Sequence, residues 1–106
     1  MAVSYDTVVS RKYRGTYYVY YILMANGKIY TGYTSNLKKR YIQHESGAVV
    51  TTSKYLPLRI IGYEAYVLKT DTQRREKYLK TTEGKRYFRN QFRDILSQTR
   101  QHSSVG

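Results

Sequence analysis

Apolar residues are distributed along this chain in two unlike ways, and the difference predicts its elements. From Thr16 to Met24 nearly every residue is aromatic or a branched aliphatic, and a shorter run, Lys28-Ile29-Tyr30-Thr31-Gly32-Tyr33, follows the Asn26-Gly27 pair. Two such runs divided by a turn dipeptide make a β-hairpin. The turn has two solutions. A two-residue turn pairs Leu23 with Tyr30 and sends Tyr20 and Tyr30 to opposite faces, because side chains alternate along a strand. A three-residue loop, with Ala25 and Asn26 in a type I turn and Gly27 in the left-handed bulge position, brings both phenols to one face. If both phenols serve one site, Gly27 must have a positive φ.

Beyond the hairpin, Ser35 is placed to cap a short helix that runs to about Glu45, with Leu37 and Tyr41 on one stripe and Gly47 ending it. Residues 46 to 57 are rich in Ser, Thr and Gly and close on Pro57, the composition of a loop. Leu58 to Val67 alternates too little for an exposed strand and is β-branched and aromatic enough for a central one. Thr70 and Gln73 have the spacing of a capping box, which opens a second helix from about Asp71 to Lys80. Gly84 then breaks the pattern, and a third helix runs from Lys85 to Ser97 with Phe88, Phe92, Ile95 and Leu96 as its apolar stripe. The order is ββαβαα. Residues 1 to 15 have no stable period and end in Arg11-Lys12-Tyr13-Arg14-Gly15, which reads as a loosely held basic arm; the tail at 98–106 reads as disordered.

Composition narrows the partner. The 106 residues suit one small domain, 16–97, with one modest core and no second module. Nineteen Lys and Arg against seven Asp and Glu give a formal charge of +12, so a polyanion is the expected partner and nucleic acid the first candidate. No apolar run nears the roughly 20 residues of a membrane span and no secretory pattern opens the chain, so a cytoplasmic protein is expected. There is no cysteine, and His44 and His102 stand far apart, which excludes disulfides, thiolate zinc and a structural zinc cluster. A metal held here must be hard and oxygen-liganded. Most of the 14 tyrosines are expected in the sheet and core.

The chemistry gathers in one short stretch. Arg40 and His44 lie four residues apart on the first helix, directly after the hairpin that carries Tyr20 and Tyr30. An imidazole, a permanent cation and two phenols are groups that phosphodiester cleavage can use, so the chain reads as a nuclease before it reads as a passive binder. These residues resemble the GIY-YIG nuclease family. Tyr18-Val19-Tyr20 stands where that family has Gly-Ile-Tyr, and Tyr30-Thr31-Gly32 where it has Tyr-Ile-Gly. Arg40 and His44 match its Arg-x-x-x-His, and Glu76 of Arg75-Glu76-Lys77 matches its metal-binding glutamate. The match covers roughly residues 17 to 90 and is most similar to the small single-domain bacterial members, through Gly32-x-Thr34-x-x-Leu37-x-x-Arg40, His44-x-x-Gly47 and Leu79-Lys80. Tyr18 and Thr31 depart from the two tripeptides while Tyr20, Tyr30 and Gly32 keep them. Asn90 lies where many members carry an Asn, with no motif to fix its alignment.

The resemblance implies an α+β fold, a small three-stranded antiparallel sheet flanked by helices, and a metal-dependent endonuclease that hydrolyses DNA with one divalent cation, Mg²⁺ or Mn²⁺, in DNA repair or recombination. DNA is the implied partner ahead of RNA, with a protein partner supplying target specificity. Tyr20 is expected to activate water with His44 relaying its proton, and Tyr30 to hold the nucleophile or phosphate; the two phenols can exchange roles. A phenol with its ordinary pKa of about 10 needs cations or a metal to lower it, or another base to take its proton. Arg40 suits the extra charge of a pentacovalent phosphorus. Glu76 can give Mg²⁺ its one protein ligand, or simply pair with Lys80 at i+4. Gly32 permits close approach of backbone or substrate ahead of the first helix, and Lys38, Lys39, Lys54 and Arg74, with Arg59, Lys85, Arg86 and Arg89, are candidate backbone contacts or a solvated basic face. Two rivals remain: a catalytically silent or partner-dependent nucleic-acid-binding module on this fold, and a structural RNA-associated protein suggested by charge alone.

Overall fold

The computed structural model describes residues 15–98. Residues 1–14 and 99–106, which hold nearly all of the basic arm and of the tail expected to be disordered, lie outside the described residues. Three strands, β1 (Tyr17–Leu23), β2 (Ile29–Thr34) and β3 (Arg59–Tyr66), form an antiparallel sheet in the order β2-β1-β3. Helix α1 (Leu37–Glu45) and a single turn, α2 (Val50–Ser53), fall between β2 and β3; α3 (Lys69–Leu79) and α4 (Thr82–Gln91) follow them. The chain is helical again over 93–98. This is the α+β architecture that the resemblance implied.

β1 reads as an unbroken apolar run because it is the middle strand, covered on both faces from Val19 to Leu23. The hairpin takes the three-residue solution. Ile22 pairs with Tyr30 and Leu23 with Ile29, Gly27 donates its N–H to the Met24 carbonyl at 2.9 Å, and its φ is 81°. Tyr20 and Tyr30 therefore share a face.

Opposite them, Val19 and Tyr21 pack with Leu79 and Phe88, and Ile29, Ile61, Tyr66 and Phe92 close the margin. Burying each such side chain stabilises the fold by about 1.5–3 kcal/mol. The same face carries a charge. Glu64 of β3 accepts hydrogen bonds from the Tyr21 and Tyr66 hydroxyls and from Arg75 of α3, whose Nε and guanidinium nitrogen reach its two oxygens at 3.0 and 3.1 Å. Arg75 also lies over the Tyr78 and Tyr87 rings, 5.6 and 5.1 Å from their centroids. Fork geometry and saturated acceptors let a half-buried ion pair pin α3 to the sheet.

Local expectations gave way wherever tertiary contacts competed. The cap of α1 is Asn36, not Ser35: its side-chain oxygen accepts the Lys39 N–H at 3.0 Å. Residues 46 to 57 contain α2, which a Ser/Thr-rich stretch did not announce. β3 is an edge strand, not a central one, and its apolar content serves the helices that cover one face. The capping box at Thr70 and Gln73 does not form. α3 starts at Lys69 without a side-chain cap, and Gln73 instead donates to the Tyr33 hydroxyl at 2.9 Å. Gly84 does not break the third helix but sits in its first turn, capped by Thr81. A Cβ there would fall on the Tyr78 carbonyl and 2.5 Å from the Leu79 Cα, so the glycine lets α4 meet the end of α3.

Candidate active site

Tyr20 organises the site. It stands in the central strand with its ring turned away from the core and is only 1% exposed. Its cross-strand neighbour is Gly32, where a Cβ would overlap the phenol and come within 2.6 Å of its Cζ. The approach that Gly32 permits in this fold is that of the Tyr20 ring.

α1 brings the next two groups. Arg40 and His44, one helical turn apart, face the sheet together. Arg40 Nε donates to the Tyr20 oxygen at 3.2 Å, and His44 Nε2 lies 2.9 Å from the same oxygen. His44 is fully buried, and the Tyr30 ring lies 5.3 Å from the imidazole and 6.4 Å from the Tyr20 ring, centroid to centroid. Gln43 holds the other end of the guanidinium at 3.1 Å. Tyr20, Tyr30, Arg40 and His44 thus form one cluster. Glu76, on α3, places its charge within reach of the Tyr20 phenol. Its side chain is 15% exposed and ion-paired to Lys80 at 3.3 Å, so the simple helix pair does form.

Sequence reasoning missed Thr52. This residue of α2 is fully buried, and its hydroxyl lies 2.8 Å from His44 Nδ1 and 3.5 Å from the Val49 carbonyl. A buried threonine eight residues past the histidine carries no periodic signal; the Ser/Thr richness that marked the segment as a loop also concealed it.

The electrostatics bear on the two routes open to a phenol, a pKa lowered by cations or a proton passed to another base. Burial pushes the Tyr20 phenol above its ordinary value, and the hydrogen bond from Arg40 only partly opposes this. Tyr20 is therefore a protonated phenol near neutral pH and not a standing phenolate. Burial, then the Arg40 charge, pulls His44 down to about 4, so its imidazole is neutral and can accept a proton.

Lys38, Lys39, Lys54 and Arg74 are exposed. Arg74 pairs with Asp71 at 2.8 Å in a largely solvated contact of little energetic weight. Asn90 is exposed on α4, where its carbonyl accepts from Arg93 at 3.0 Å. Among the described residues no group of three His, Asp or Glu gathers to hold a metal. A lone carboxylate still suits Mg²⁺ or Mn²⁺, hard ions that keep much of their water and take substrate oxygens as ligands. Glu76 fits that part.

A three-stranded sheet that buries, on the face away from its core, a phenol held between a guanidinium and an imidazole defines a class: an α+β domain with a buried polar cluster and a strongly basic sequence. Within that class the chain belongs to the GIY-YIG family, since the model of the GIY-YIG catalytic domain matches residues 16–90. The family is one of nucleases acting on DNA, and its members typically use a divalent metal. Similar proteins include a UPF0213 protein of Lacticaseibacillus paracasei, 35% identical over 66 residues that span 61% of this chain and 74% of the relative. A UPF0213 protein of Pediococcus acidilactici is 31% identical over 80 residues, 70% of this chain and 82% of its own. One from Staphylococcus saprophyticus is 30% identical over 66 residues, 61% and 80% of the two chains. No solved structure matches the chain. Among the described residues no helix is long and apolar enough to cross a membrane.

Proposed function

We propose that this protein is an endonuclease that hydrolyses DNA phosphodiester bonds with a single divalent cation, Mg²⁺ or Mn²⁺, held by Glu76. The observation that carries the reading is the Tyr20 oxygen, 2.9 Å from His44 Nε2 and 3.2 Å from Arg40 Nε. When bound, the cation supplies Lewis-acid stabilisation of phosphate oxygens. The protein's own groups do the rest. As water attacks phosphorus and the P–O bond to one sugar oxygen breaks, the water proton passes to the Tyr20 oxygen while the Tyr20 hydrogen passes to neutral His44 Nε2, so no free phenolate has to form, and the leaving sugar oxygen takes a proton from solvent. Arg40 holds the phenol and offers its remaining N–H groups to the charge that grows on the phosphoryl oxygens. Tyr30, packed on His44, positions water or phosphate. The role proposed with this chemistry is in DNA repair or recombination, with a protein partner supplying target choice, and the basic surface serves the DNA backbone.

The Lys80–Glu76 ion pair favours a second reading, in which the carboxylate stays occupied and the domain binds DNA without cutting it until a partner acts. One experiment separates the two. Labelled duplex, branched and single-stranded DNA are incubated with the protein in Mg²⁺, Mn²⁺ or EDTA, beside Glu76→Ala. Cleavage that requires metal and is lost in the variant supports the enzyme; binding without cleavage under every condition rejects it for the isolated chain.

A further inference from the structure

Proton transfer from Tyr20 to His44 has a direction only if the imidazole presents a bare Nε2. Which nitrogen of a neutral histidine carries the hydrogen is decided by the partner of the other nitrogen. Here that partner is the Thr52 hydroxyl, 2.8 Å from Nδ1, on a residue with no solvent exposure.

We propose that Thr52 is a positioning residue that holds His44 with its hydrogen on Nδ1, leaving Nε2 as the acceptor for Tyr20. The donors and acceptors decide between the two arrangements. Arg40 can only donate, so its Nε–H occupies one acceptor position of the Tyr20 oxygen. The Tyr20 hydrogen then needs an acceptor, and His44 Nε2 lies at 2.9 Å. Nδ1–H in turn donates to Thr52 Oγ1, whose hydrogen points to the Val49 carbonyl at 3.5 Å. One directional chain results, Arg40 to Tyr20 to His44 to Thr52 to the Val49 backbone, with each donor matched.

The reverse arrangement fails at Tyr20. If Thr52 donated to Nδ1, Nε2 would carry the hydrogen and the Tyr20 oxygen would receive two donors. Its own hydrogen would then face the same two donors inside a site with 1% exposure, at the cost of an unmade buried hydrogen bond. Three further groups bear on His44: the Arg40 charge, the Tyr20 phenol and the Tyr30 ring. None of them reaches Nδ1 in place of Thr52. The role of α2 follows. A single turn in a Ser/Thr-rich segment becomes the back wall of the site, and it sets the polarity of the relay without touching substrate.

The test reads the tautomer first and activity second. Nitrogen-15 spectra of the imidazole rings are recorded on the wild-type chain and on Thr52→Val and Thr52→Ser, with His102→Gln used to assign the two histidines. The expected result is a hydrogen on His44 Nδ1 in the wild type and in Thr52→Ser, and loss of that preference in Thr52→Val. A wild-type hydrogen on Nε2, or an unchanged tautomer in Thr52→Val, overturns the proposal. The inference rests on the nuclease reading only for its consequence in turnover. There, Thr52→Val should lower kcat about tenfold or more with KM little changed, as misplaced histidine tautomers do in other hydrolytic sites, and Thr52→Ser should restore it. If no variant or wild type cleaves DNA, the function fails while the tautomer result stands. Should Thr52→Val not fold, the wild-type and Thr52→Ser spectra still decide.

Discussion

Tyr20 and Tyr21 are neighbours in sequence, both at most 4% exposed, and they hold opposite positions in the chemistry of this protein. The Tyr20 hydroxyl meets Arg40 and neutral His44 and, among the described residues, no carboxylate within hydrogen-bonding distance. The Tyr21 hydroxyl meets Glu64, whose charge is already claimed by Tyr66 and by the fork of Arg75. Burial raises both phenols, and the carboxylate raises Tyr21 further while Arg40 opposes the rise at Tyr20. One strand, by alternating its side chains, gives one phenol a guanidinium and a neutral imidazole and gives the other a structural ion cluster. A buried phenol is thus a strut at Tyr21 and, on the proposed function, a tool at Tyr20.

The widest separation between the two should come from removing each hydroxyl in turn. Tyr20→Phe should lower the rate of DNA cleavage by about 10²–10⁴-fold, the weight of a general acid–base group. Tyr21→Phe should leave that rate near wild type and instead cost about 1–3 kcal/mol of stability, because Glu64 loses a donor. Urea unfolding and initial rates on the same samples read both. Equal rate losses in the two variants would erase the distinction.

Acid should then separate the two clusters by pH. His44 has a folded pKa of about 4 against an ordinary 6.5, so between those values the unfolded chain binds more protons, and stability is full above 6.5 and falls as pH drops toward 4. Glu64 is half-buried, and this desolvation alone would raise it, but the hydrogen bonds from Arg75, Tyr21 and Tyr66 together hold it below its ordinary 4.5. Its share of stability is full above 4.5 and is lost as pH falls below that value. Denaturation midpoints across this range should therefore decline in two stages, with His44→Gln flattening the upper one and Glu64→Gln the lower. A single stage unaffected by His44→Gln would remove the contrast.

The smallest effect belongs to the surface. Arg74→Ala breaks a solvated pair with Asp71 and should change stability by less than about 0.5 kcal/mol. If Arg74 touches a DNA phosphate, the salt dependence of binding should flatten by about one counterion; an unchanged slope would return it to the solvated face.

Much of the fold was legible in the residues, and the limits of that reading follow a pattern. The hairpin declared itself through two aromatic runs around Asn26-Gly27, and of the two turns left open the three-residue one forms, with Gly27 at positive φ. The presence of the main helices was legible, whereas their bounds were not: the helix expected unbroken from Lys85 to Ser97 instead runs from Thr82 to Gln91, stops at Phe92 and resumes over 93–98. Ser35 lost to Asn36, the Thr70–Gln73 box lost to a bond between Gln73 and Tyr33, and Gly84 read as a stop when it was a seat for the neighbouring helix. Capping contributes about 1 kcal/mol, which a single tertiary contact can outweigh.

The sequence by itself determined the three strands and the longer helices in their order, the polyanion-seeking charge and the spacing of Tyr20, Tyr30, Arg40, His44 and Glu76, because periodicity and spacing are local properties. Tertiary structure alone decided that β1 is central, that Tyr21 belongs to Glu64 and Arg75, that Tyr20 remains protonated and that Thr52 backs His44. Each of these depends on which distant residues exclude water from a polar group and which supply its hydrogen-bond partners. Burial and partnership are set by the packed whole, and they give the same residue, tyrosine, two different chemistries on one strand.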